Sequence, residues 1–189
     1  MPEPVVIVDY DPGWRRRYEA LRAPIAEALG DLAEAVEHVG STSVPGLAAK
    51  PTIDLVARLR PAADLAAAIE RLARLGYAHE GDLGVAGREA FATPPGYGVH
   101  DHHLYLCHPD WPGYEDQIVF RDHLRANPQT AAAYAELKRT LAARFGRDRA
   151  GYTNAKAHFV METLRRARAC VTPAAAAKPR SAGVGRAGS

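Results

Sequence analysis

Residues 38–59 read HVGSTSVPGLAAKPTIDLVARL, and the order of these residues decides how the chain folds. TIDLVARL (52–59) reads as a strand, bounded by Pro51 and Pro61. It carries one carboxylate, Asp54. A core strand loses stability by burying an unpartnered charge, so Asp54 asks for a ligand or a partner. The residues ahead of it suit that task. Gly40 allows close backbone approach, Ser41, Thr42 and Ser43 bring hydroxyl donors, Pro45-Gly46 marks a turn, and Lys50 adds a cation.

Outward from this stretch, the periodicity predicts alternating elements. EPVVIVDY (3–10) reads as a strand. Trp14, Tyr18, Leu21, Ile25 and Leu29 recur every three to four residues and predict an amphipathic helix closed at Gly30-Asp31. AEAVEHVG (33–40) reads as a second strand. AADLAAAIERLARLG (62–76) reads as a helix with Gly76 as its C-cap. Residues 77–108 look like short strands joined by Gly- and Pro-rich turns. After Pro112 three helices follow, the second starting just past Asn127-Pro128 and the third following Gly151. This pattern predicts an α+β fold, a mixed β-sheet with helices followed by a three-helix C-terminal lobe. Residues 1–112 form the core, 113–170 a helical lobe that completes a cleft, and 171–189 a disordered Ala/Gly/Pro-rich tail.

Composition narrows the function classes. The chain has 189 residues, with 24 Lys+Arg against 22 Asp+Glu and a net charge of +2. Three of those bases lie in the last nineteen residues, so residues 1–170 carry 21 bases against 22 acids. A body this close to neutral predicts no nucleic-acid partner. Cys107 and Cys170 make no disulfide framework and no CxxC pair. Glu3 and Asp9 interrupt the only apolar stretch near the start, which predicts no signal peptide. No apolar run reaches the ~18 residues of a membrane span. The expectation is a cytoplasmic protein, with the oligomeric state left open.

A Walker A loop would need Gly-Lys-Ser/Thr at a helix start, but Lys50 is followed by Pro51 and a strand. GxGxxG, GxSxG and HExxH are absent. In GVHDHHLYLCH (98–108), Asp101, His103, Tyr105 and Cys107 would share one strand face, and His102, Leu104 and Leu106 the other. Leu104 and Leu106 point into the core, with His102 at the edge of that face. His103 then faces a polar cleft. If its strand neighbours Asp54, His103 completes the site as a metal ligand or as a base near neutral pH, and His38 approaches from the strand before Gly40. Arg88 could face an anionic ligand. Arg121 and Arg125 lie at i, i+4, so both could point from one helix face at phosphates. Arg125 reads equally well as a solvated partner of Asp122. Tyr152 and Lys156 are also i, i+4, at the start of the last helix.

A Gly-Ser turn at a strand end, followed a dozen residues later by Asp on a neighbouring strand, resembles the core of the nucleotidyltransferase superfamily. A longer series is more specific: VDYDPGW, HVGSTSVPGLAAKPTIDL, HHLYL, FRDHLRANP, AYAELKRTLA and YTNAKAHFV occur in this order. Together they resemble the GrpB family (UPF0157) throughout residues 4–165. The resemblance implies a nucleotidyltransferase-like fold. It also implies a histidine at His103, with Tyr105 where a second histidine is expected, and a substrate-facing Lys156. In the superfamily a second acid usually stands two residues after the first, and here that position is Val56. Two metal ions are poorly held by Asp54 alone.

The expected function is therefore a GrpB-type nucleotidyltransferase-like protein that binds a nucleotide or another anionic small molecule and transfers a nucleotidyl group to a small acceptor. Gly40, Ser41, Thr42, Ser43, Lys50, Arg88, Arg121, Tyr152 and Lys156 would bind the substrate and its phosphates. Asp54 and His103 would be catalytic, and Asp54, His103 and His38 would hold a metal, Mg²⁺ ahead of Zn²⁺. Two alternatives stay open: a non-catalytic ligand-binding or regulatory domain, and a specialised metal-assisted enzyme that reuses the cleft.

Overall fold

The computed structural model describes residues 4–61, 63–96 and 102–171. Helix α1 (Gly13–Leu29) ends where Gly30, at φ +52°, turns its N–H back to Ala26 O. Strands β1 (Ala33–Val39) and β2 (Ile53–Leu59) run antiparallel on either side of the Gly-Ser bend. Helix α2 (Leu65–Ala73) starts where Asp64 accepts hydrogen bonds from the N–H groups of Ala66 and Ala67. Its C-cap is Arg74, and Gly76 follows two residues later at φ +89°. Three strands come next, β3 (Ala78–Gly81), β4 (Arg88–Ala92) and β5 (His102–Cys107), and then helices α3 (Pro112–Ala126), α4 (Pro128–Phe145) and α5 (Arg149–Val171).

The sheet order is β1-β2-β5-β4-β3, with β2 and β5 parallel and every other pair antiparallel. The fold is α+β with a mixed five-stranded sheet and three C-terminal helices. One sheet face presents Ile53, Leu55, Ala57, Leu59, Leu104 and Leu106 to Trp14, Ile25 and Leu29 of α1 and to Ala68 and Leu72 of α2, forming the main core. On the opposite face Val39, Val56 and Cys107 pack with Tyr114 of α3. Two smaller clusters anchor the last helices. Val44, Leu47 and Ala48, just past the Gly-Ser bend, pack on Leu124, Tyr134 and Ala135. Val5 packs with Leu141 and Tyr152.

Three expectations change. Residues 3–10 do not form a strand over their described part: Val8 makes a single bridge to Ala49, while Val5 N–H donates to Gly146 O. Isolated from a ladder, an apolar run satisfies its backbone piecemeal. The last helix begins at Arg149, before Gly151, because the Asp148 carboxylate accepts from Gly151 N–H. Val171 closes that helix, and residues 172–189 of the expected tail lie outside the described residues, as do His100 and Asp101.

β2 is central to both packing faces, and Leu55 on it is wholly buried. Leu55→Ala is expected to lower unfolding free energy by about 2–5 kcal/mol in urea titrations. A loss below about 1 kcal/mol would show that the sheet is not packed as described.

Candidate functional site

Pairing of β2 with β5 sets Asp54 beside His103, and pairing with β1 sets it beside Val39, the last residue before Gly40. The Gly-Ser bend and the carboxylate therefore meet at one corner of the sheet. The meeting is tight. A Cβ on Gly40 would lie 2.2 Å from Asp54 Oδ2, and Gly40 sits at φ +70°. Only glycine fits there. Residues 41–43 form a single 3-10 turn, in which Ser43 Oγ donates to Gly40 O at 2.6 Å.

His103 Nδ1 lies 2.8 Å from Asp54 Oδ1. With Nδ1 protonated, the imidazole donates to the carboxylate and leaves Nε2 as the free basic nitrogen. Both side chains remain partly exposed. They open onto a cleft of about 300 Å³ whose walls also include Ser41, Thr42, Lys50, Tyr152 and Lys156. Seven of the expected site residues thus share one cavity, with Gly40 directly behind Asp54.

The cleft is strongly cationic. Lys50, Lys138, Arg149 and Lys156 line it, and Asp54 is the one acid among the described lining residues. Burial holds the Lys156 amine below the usual lysine range, with Asp54 opposing that shift and Lys50 adding to it. Two helices deliver the lysines in the same way. On α5, Lys156 Nζ stands 4.3 Å from the centre of the Tyr152 ring, and on α4, Lys138 Nζ stands 4.7 Å from that of Tyr134. Tyr134 also packs with Val44, Leu47 and Ala48, tying α4 to the segment just past the bend.

Other expected residues lie elsewhere. His38 pairs in register with Leu55, so it belongs to the sheet face opposite Asp54. There it stacks on Tyr18 at 4.6 Å, and its Nε2 lies 3.0 Å from Thr42 Oγ1, which donates to Thr52 O. Burial pushes its pKa down to about 4, so the ring is neutral. His38 is therefore not a third ligand beside Asp54 and His103. Among the described residues no group of three or more His, Cys, Asp or Glu could hold a metal ion. Arg121 does not reach the cleft: Nη1 binds Glu37 Oε2 at 2.7 Å and His38 O at 3.1 Å, fastening α3 to β1. Arg125 likewise donates to Ser43 O. Arg88 lies over the Tyr105 ring at 4.3 Å. His102, expected at an edge, is completely buried with its Nε2 2.8 Å from Tyr77 Oη.

Lys138, Thr52, Arg149 and Thr153 line the cleft without having been picked out in the sequence. Lys138 did leave a signal. Tyr134-x-x-x-Lys138 repeats the spacing of Tyr152-x-x-x-Lys156 on the preceding helix.

The contact between Gly40 and Asp54 makes a direct prediction. Gly40→Ala is expected to cost about 1–3 kcal/mol of stability. In an Asp54→Ala background the cost should fall by about 1 kcal/mol or more, read by a double-mutant cycle in urea. Equal costs in both backgrounds would mean that the carboxylate does not press on the bend.

Comparisons with known proteins bear on the same residues. The family model described as "GrpB protein" matches residues 4–166. UPF0157 protein YqkA of Bacillus subtilis is 34% identical over 139 residues, which is 74% of this chain. The matched part spans only 40% of YqkA's own length. Among solved structures, the crystal structure of conserved protein GrpB from Enterococcus faecalis superposes with a TM-score of 0.76 at 30% identity, covering 88% of this chain and 99% of that one. Cid1 poly(U) polymerase, in its MgGTP-bound structure, superposes with a TM-score of 0.52 at 14% identity, covering 73% of this chain and 45% of that one. The latter is a likeness of fold alone. Matched along nearly its whole described length, with the Gly-Ser bend and Asp54 inside the match, the chain belongs to the GrpB protein family.

Proposed function

We propose that the cleft binds the phosphates of a nucleotide, with one divalent cation on Asp54, and transfers the nucleotidyl group to a small acceptor. The observation that carries this reading is the convergence of Asp54, the Ser41–Thr42 turn with Gly40 behind it, and the basic side chains Lys50, Arg149 and Lys156 on one small cavity. The donor set suits a single hard cation: Mg²⁺ is content with one or two carboxylates, completing its shell with phosphate oxygens and water. Asp54 would hold it, and a bound Mg²⁺ would offset phosphate charge and polarise the reacting phosphoryl group. A two-metal arrangement does not fit, because Val56 is wholly buried in apolar contacts at the position of the second acid.

The chain's own residues divide the remaining work. The Ser41 hydroxyl and the backbone N–H groups of Ser41 and Thr42 receive phosphate oxygens, while the Thr42 and Ser43 hydroxyls are spent on Thr52 O and Gly40 O and hold the bend in shape. Lys50, Arg149 and Lys156 balance charge on the leaving side. His103 Nε2, oriented through the Nδ1 contact with Asp54, takes the proton from the acceptor hydroxyl. The acceptor oxygen then forms its bond to the α-phosphorus as the bond to the β-phosphate bridging oxygen breaks, and pyrophosphate departs. A small acceptor is favoured over a nucleic-acid strand by the near-neutral body of the chain. Among the described residues no helix is long and apolar enough to cross a membrane, and residence in the cytoplasm belongs to the same reading.

Buried Val56 also favours a second reading, in which the domain binds its ligand without turnover. A zinc-assisted enzyme built on His38, Asp54 and His103 is disfavoured, because His38 faces away from the other two.

Calorimetry with ATP, with and without Mg²⁺, separates these outcomes. Asp54→Asn is expected to weaken Mg²⁺-dependent binding at least tenfold, about 1.4 kcal/mol, with the thermal melt unchanged. His103→Ala should bind but release no pyrophosphate. Wild-type binding of equal strength without metal, and no pyrophosphate release, would replace the catalytic reading with the binding one. Unchanged affinity in Asp54→Asn would remove the site.

A further inference from the structure

Lys138 has no part in the chemistry above, yet its setting is unusual for a lysine. It is 2% exposed and lines the wall of the cleft. The amine donates to Ala48 O at 2.5 Å, in the segment that follows the Gly-Ser bend, and otherwise faces the Tyr134 ring. An ammonium carries three donors, and one of them is spent on Ala48. Burial, then the neighbouring Lys156 and Arg139, lower its pKa to about 7. Facing it across the cleft are Lys156, Arg149 and Tyr152 from α5, Lys50 and Asp54 around β2, and His103 from β5. Arg139, next to it on α4, turns instead to Glu136 and Asp9. Asp54, the acid among the described lining residues of the cleft, is engaged by His103.

We infer that Lys138 is a further anion-binding residue of this cleft, and that a diphosphate or triphosphate entering it brings a proton onto Nζ. The inference rests on the reading that the cleft takes phosphates. A phosphate oxygen beside Nζ favours the charged amine and offers an acceptor for its remaining N–H groups. The proton comes from solvent, and no covalent bond changes. The sign follows from linkage. Where the ligand raises the amine's pKa above its value in the free protein, affinity is full below the free pKa and falls as pH rises through it. With the free value near 7, the loss is about tenfold for each pH unit above that point. An arginine at 138 keeps its charge throughout this range and has no proton to gain.

The test is calorimetric binding of inorganic pyrophosphate with saturating Mg²⁺, at pH 7 and 8.5, in buffers of different ionisation enthalpy. Between those pH values wild-type affinity is expected to fall about tenfold more than that of Lys138→Arg. At pH 8 the wild type should take up close to one more proton per site than the variant. The ligand's own titration cancels in the comparison. Matching pH profiles and proton uptake in the two proteins would overturn the inference while leaving phosphate binding in place. Failure of the wild type to bind pyrophosphate at any pH would overturn both this inference and the proposed function. Should Lys138→Arg fail to fold, the Nζ resonance of Lys138 in ¹⁵N-lysine-labelled wild type gives the same answer. It should titrate near pH 7 alone and well above that with pyrophosphate, and an unmoved titration would contradict the inference.

Discussion

The whole arrangement depends on the contact between Gly40 and the Asp54 carboxylate. A bend with any side chain at residue 40 would drive a Cβ to within 2.2 Å of Oδ2, so the hydroxyl-rich turn and the acid could not share a corner of the sheet. With glycine they do, and the consequences run outward. Asp54 stays partly open to solvent. Its register partner His103 is fixed against Oδ1. The strand that carries it is held from behind by Leu55 and Ala57 in the main core. Rigid elements thus fix where Asp54 and His103 stand relative to the bend.

The C-terminal helices supply the opposite charge. Each lysine that α4 and α5 bring to the cleft lies against a tyrosine one turn earlier on its own helix, and Tyr134 in turn packs on Val44, Leu47 and Ala48 just past the bend. Arg121 and Arg125 serve the same joint from the other side by tying α3 to β1 and to Ser43. Their work is structural, and their charge is largely spent on Glu37, Asp122 and backbone carbonyls.

Much of this was legible in the sequence, because it depends on local chemistry. The Gly-Ser bend, the β2 strand, α1 with its closing Gly30, and the three last helices all follow from spacing and turn residues. The neighbouring of Asp54 and His103 was left conditional on their strands lying side by side, and the parallel pairing of β2 with β5 supplies that condition. What escaped depended on register and on long-range partners. His38 is one residue away from the face it was assigned, and alternation in a strand turns that single step into the opposite side of the sheet. The run at residues 5–8 has strand composition but no ladder to join. Arg121 was read by helix spacing alone, which does not reveal that Glu37, 84 residues earlier, waits beside it. Lys138 sits in an ordinary-looking helix, and its burial depends on packing against Ala48, 90 residues away.

The most direct test is a crystal structure of the protein with Mg²⁺ and a non-hydrolysable nucleoside triphosphate. The account predicts phosphate density against the backbone of residues 40–43, with the metal bound to the Asp54 carboxylate and the lysines of α4 and α5 closing over the far end. Phosphates seated away from the bend, or a metal with no bond to Asp54, would contradict it.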